Sequence, residues 1–95
     1  MRKTDGLAFT NVSRSYDASA NGVNFWAYDN VVEVSFLVST EVLSNLRGSD
    51  LSDEAQILAA FDGEREHIQE LARGVYAKRS RDKHLFAYTI TAADN

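Results

Sequence analysis

The sequence predicts an α+β fold of two layers, an antiparallel sheet of three to four strands packed on one long and one short helix. Three observations predict it. Residues 25 to 38, FWAYDNVVEVSFLV, alternate on either side of a turn-forming Asp-Asn pair, as the two arms of a hairpin do. Residues 57 to 76 carry apolar side chains at the 3, 4, 3 spacing of one helical face, and residues 84 to 91, HLFAYTIT, return to the alternation of a strand. The element order is strand, strand, helix, helix, strand, with room for one more short strand at the N-terminus.

The elements follow in chain order. Residues 1 to 22 are the least regular: Phe9, Val12 and Tyr16 are apolar anchors among Ser, Asn, Asp and Gly, with residues 1 to 8 read as a flexible extension. In the hairpin, taking Asp29-Asn30 as the turn pairs Ala27 with Val32, Phe25 with Val34 and Val23 with Phe36. One face then holds Val23, Phe25, Ala27, Val32, Val34 and Phe36, a core face by composition, and the other holds Asn24, Trp26, Tyr28, Val31, Glu33 and Ser35. Ser39 or Thr40 can cap a short helix bearing Val42, Leu43 and Leu46 on one side and ending at Gly48. Ser52 is the predicted cap of the long helix, whose stripe is Ile57, Leu58, Phe61, Ile68, Leu71, Ala72, Val75 and Tyr76. Gly63 and Gly74 fall on the opposite side, each weakening the helix by about 1 kcal/mol relative to alanine, and a bend or break is expected near Asp62-Gly63.

Composition bounds the function. At 95 residues the chain is read as one domain, large enough for a modest core. It has no cysteine, which removes disulfides and thiolate metal sites and fits a reducing cytoplasm. No segment approaches the roughly 20 apolar residues that span a bilayer. A net charge of −4 argues against a general nucleic-acid binder, and 44% hydrophobic content argues for a folded globule.

Several stretches carry a family likeness. SRSYD at 13 to 17, VNFWAYD at 23 to 29, VSF at 34 to 36, AAFDGERE at 59 to 66 with Ile68, Ala72 and Tyr76, and Asp94 stand in an order and spacing that resemble the small bacterial family designated domain of unknown function 1488. The likeness runs from Phe9 to nearly the end of the chain. It implies a small bacterial, stand-alone protein and carries no catalytic residues with it.

Candidate chemistries are few. Glu64-x-x-His67 has the helical spacing of a carboxylate-imidazole metal pair, but a second copy and further carboxylates are missing, so a solvated histidine is the simpler reading. No nucleophile elbow, phosphate-binding glycine loop or dinucleotide fingerprint occurs, and neither an enzyme nor a cofactor is expected. Lys78, Arg79, Arg81 and Lys83 form a basic cluster that would suit phosphates, yet cations in a last helical turn are explained by the helix dipole alone. Arg65 falls within the apolar stripe and is expected to lay its stem along the core and pair with Asp17, Asp29 or Glu33, or to hold an anion. Trp26, Tyr28, Val31 and Glu33 are the candidate interaction surface, with a homodimer or another protein as the partner; a cover formed by the N-terminal segment is the competing reading. The expected function is a non-catalytic protein-interaction or regulatory module. A nucleic-acid accessory role through the basic cluster comes second, and a small enzyme with an unrecognised site third.

Overall fold

The computed structural model describes residues 7–79 and 87–94. In chain order these form β1 (Leu7–Ala8), β2 (Arg14–Asp17), β3 (Gly22–Asp29), β4 (Val32–Ser39), α1 (Thr40–Arg47), α2 (Glu54–Gly63), α3 (Arg65–Arg79) and β5 (Ala87–Ile90), followed by a 3-10 turn (Ala92–Asp94). Five strands make one mixed sheet, mostly antiparallel, in the order β1-β3-β4-β5, with β2 also on β3. Among the described residues no helix is long and apolar enough to cross a membrane.

The hairpin forms as its alternation requires, but its turn lies one residue further on. Asp29 pairs with Val32, Ala27 with Val34, Phe25 with Phe36 and Val23 with Val38, which leaves Asn30-Val31 as the two-residue turn. Asn30 takes φ +58°, a conformation that asparagine adopts far more readily than a β-branched residue such as valine. Moving the turn by one residue shifts each pairing by two, so the faces keep their parity. Val23, Phe25, Ala27, Val34 and Phe36 are buried as expected, and Val38 joins them. Val32 is the correction: at the mouth of the turn it is 46% exposed.

An all-antiparallel sheet is also corrected. β5 runs parallel to β4, with Phe36 opposite Tyr88 and Val38 opposite Ile90. A parallel neighbour needs a crossover connection, and the three helices between β4 and β5 supply it. The N-terminal segment joins the sheet twice: Leu7 pairs with Asp29 at one end of β3, and Arg14 to Asp17 pair with Phe25 to Gly22 at the other. Leu7 is buried, so Leu7–Ala8 belong to the sheet and not to an extension. Residues 1–6 lie outside the described residues.

The caps explain the helix boundaries. Ser39 Oγ accepts from Val42 N at 3.3 Å, and α1 ends at Gly48, whose φ of +74° directs its N–H to Ser44 O at 2.8 Å. α2 is capped by Asp53, one residue beyond the expected Ser52: Asp53 Oδ1 accepts from Gln56 N at 2.8 Å, and Gln56 Oε1 in return accepts from Ser52 N at 2.8 Å. The expected break falls at Glu64, where the long helix divides into α2 and α3. Gly22 has a reason of its own: a Cβ there would lie 2.6 Å from Val38 O, so only glycine lets β3 and β4 meet at this point.

The core is one cluster. Ile57, Ala60, Phe61, Ile68, Ala72 and Val75 from α2 and α3 join the helix-facing side of β3, β4 and β5. Phe25 is its hub, with ring centroids 5.3 Å from Phe36 and 5.3 Å from Phe61; Phe36 in turn stacks on Tyr88 at 5.6 Å. Burying one side chain of this size stabilises the fold by about 1.5 to 3 kcal/mol, so the buried stripe as a whole outweighs the cost of the two helix glycines.

Candidate functional site: the outer face of the sheet

Because strand side chains alternate, everything between the core positions points away from the helices. Ladder pairings map this outer face in rows. Tyr28 stands between Ala8 and Glu33; Trp26 has Ser35 and then Ala87 beside it; Asn24 lies between Ser15 and Leu37, with Thr89 beyond. Trp26, Tyr28 and Leu37 are half-buried, whereas Ala8, Ser15, Glu33, Ala87 and Thr89 are exposed. Trp26 therefore has only small residues across the ladder, and Tyr28 has Ala8 on one side and Glu33 on the other. Tyr28 Oη donates to Glu33 Oε2 at 3.5 Å, the long limit of a hydrogen bond. Val31, expected here, is in the turn instead and is 92% exposed.

The N-terminal segment pairs with the edge of β3, and its aromatic anchors turn toward the helices. Phe9 lies 6.4 Å from both Phe25 and Phe36, and Tyr16 packs against the same cluster. Val12 is 73% exposed. Among the described residues, neither Phe9, Val12 nor Tyr16 lies over Trp26.

Arginines tie this segment to the helices. Arg14 makes a two-point contact with Asp62, Nε to Oδ1 at 2.9 Å and Nη2 to Oδ2 at 2.7 Å, and Arg65 Nη2 donates to Asp62 Oδ1 at 3.1 Å and to Val12 O at 3.3 Å. Arg65, at the start of α3, thus pairs with Asp62, near the end of α2, and not with Asp17, Asp29 or Glu33; its guanidinium also rests 4.8 Å from the centre of the Phe61 ring. The Arg14 hydrogen bonds hold the Asp62 carboxyl below its ordinary pKa. Arg73 Nη1 donates to Leu7 O at 3.2 Å and its guanidinium lies over Phe9. On the far side, Tyr76 donates a short hydrogen bond to Asp29, and that carboxylate pushes the phenol up to about 12.

The remaining candidates do not assemble. Glu64 meets Arg47 at 3.5 Å, and His67 is exposed beside it at a shallow hollow of about 440 Å³ lined by Asp62 to His67. Among the described residues no group of three His, Cys, Asp or Glu is placed to hold a metal ion. In the basic cluster Lys78 is exposed on α3, while the Arg79 side chain, Arg81 and Lys83 lie outside the described residues.

The family model of a protein of unknown function, DUF1488, matches residues 7–89, and the chain belongs to that family. Its fold is similar to the crystal structure of a DUF1488-family protein of unknown function from Shewanella loihica PV-4, with a TM-score of 0.78 at 18% identity over 95% of this chain and 98% of that one. No curated protein matches the sequence.

Proposed function

We propose that this protein is a non-catalytic protein-interaction or regulatory module of the cytoplasm that docks its partner on the outer face of β3 and β4, around Trp26 and Tyr28. One observation carries the reading: the chain's single tryptophan stands half-buried on the sheet face away from the helices, with Ser35 and Ala87 across the ladder, while the N-terminal aromatics that could have covered it, Phe9 and Tyr16, pack on the opposite side. Tryptophan and tyrosine give large, rigid contact area at small entropic cost, which is why interfaces favour them. The partner is another protein or a second copy of the chain. Affinity capture with the wild-type protein and with Trp26→Ala, followed by mass spectrometry, tests it. The expected result is a partner retained by the first and lost by the second at unchanged circular dichroism; identical captures would refute the role of this face.

A further inference from the structure

Resting on that docking role, we infer that the segment taken by the outer face is cationic, an extended arginine-bearing stretch of another protein whose guanidinium lies against Trp26 and Tyr28 and pairs with Glu33. The charge layout points there. Among the described residues, the ionisable carboxylates of this face are Asp17, beside Gly22 at one end of the ladder, and Glu33, beside Tyr28 at the other. The described cations stand elsewhere: Arg14 meets Asp62 on the helix-facing side of β2, Arg65 meets the same Asp62, Arg47 meets Glu64, and Arg73 and Lys78 lie on α3. Asp17 is occupied by its own turn, accepting from Ser19 Oγ at 2.8 Å and Ala20 N at 3.1 Å. Glu33 is exposed, with the 3.5 Å contact from Tyr28 as its hydrogen bond, so its carboxylate has acceptor capacity in hand.

An apolar partner would bury Glu33 without a counter-charge, which is costly, and a nucleic acid would meet it with like charge. A guanidinium suits both features of the site. Residues two apart on one strand face are about 6.8 Å apart, close to the roughly 7 Å that a flat group needs to touch a ring on each side. Arginine is planar, weakly hydrated and able to stack while its N–H groups reach a carboxylate; lysine offers only a compact, strongly hydrated charge.

The chain's single tryptophan makes the test specific to the site. Purified protein is titrated with a blocked peptide of alternating arginine and threonine, and with its lysine and glutamate counterparts, while Trp26 emission is followed. The expected result is a saturable change with the arginine peptide, a weaker one with lysine and none with glutamate. Glu33→Gln should weaken binding roughly threefold and Tyr28→Ala roughly fivefold, whereas Glu54→Gln, an equal charge change on α2, should leave it unaltered. No response to the arginine peptide, or equal losses in Glu33→Gln and Glu54→Gln, would overturn it. An emission change on raising the protein's own concentration would give the place to a second copy and overturn it as well. Should a protein be captured through Trp26 while the arginine peptide has no effect, the docking role stands and the cationic partner falls; identical captures with Trp26→Ala remove both.

Discussion

Two neighbouring rows of the same ladder behave oppositely. In one, Phe25, Phe36 and Tyr88 lie side by side and stack, with Phe61 of α2 closing over them. In the next, Trp26, Ser35 and Ala87 lie side by side, and a single large ring has only small residues across the ladder and stays half-buried. Backbone, strands and hydrogen-bond ladder are common to both rows. What separates them is neighbour size, together with a helix that approaches from only one side. An aromatic residue on a strand is therefore core or surface according to its row, and the residue types within each row reveal which.

The difference can be tested by breaking each row in turn. Phe36→Ala removes the middle ring of the inner row and should cost about 3 to 5 kcal/mol in urea unfolding; a loss below about 1 kcal/mol would mean that the inner row is not the core. Tyr76→Phe deletes the hydrogen bond that ties α3 to the hairpin end at Asp29 and should cost about 1.5 to 2 kcal/mol at neutral pH. Its pH dependence has a fixed sign. The folded-state phenol sits at about 12, above its unfolded value near 10. The advantage of wild type over Tyr76→Phe is thus complete below pH 10 and disappears as pH rises through about 12, which parallel unfolding curves will reveal.

Asp62→Asn is a smaller perturbation, under about 1 kcal/mol, because the carboxylate that holds Arg14 and Arg65 is 45% exposed. Here the sign is opposite. The folded-state pKa is lowered, so the contribution is present above the unfolded carboxylate value and is lost as pH falls through the folded one. Acid titration should therefore narrow the gap between wild type and Asp62→Asn. Trp26→Ala truncates a half-buried ring and should cost about 1 kcal/mol, well below Phe36→Ala, because none of the described helices closes over the outer row.

Much of this fold is legible in the chain because period and residue size speak directly to packing. The stripe from Ile57 to Tyr76, the Ser39 cap and the Gly48 stop depend on neighbours within a few residues, and they appear where the spacing puts them. The hairpin faces survive a turn displaced from Asp29-Asn30 to Asn30-Val31, since a shift of two in pairing preserves parity. Direction and long-range pairing are not written locally. Nothing in AYTI says that β5 will run parallel to β4, and nothing in Arg65 distinguishes Asp62 from Asp17, Asp29 or Glu33, because the two-point contact from Arg14 that fixes the Asp62 carboxylate comes from a strand 48 residues away. Alternation alone puts Trp26, Tyr28 and Glu33 on one face, whereas the turn displacement takes Val31 out of it.

Acrylamide quenching of Trp26 in the free protein tests most directly whether the outer row is open. The single indole should be quenched in the native state and become protected when the arginine peptide binds. A blue-shifted native emission that resists acrylamide with no ligand present would place the indole inside a packed interior and contradict the separation of the two rows.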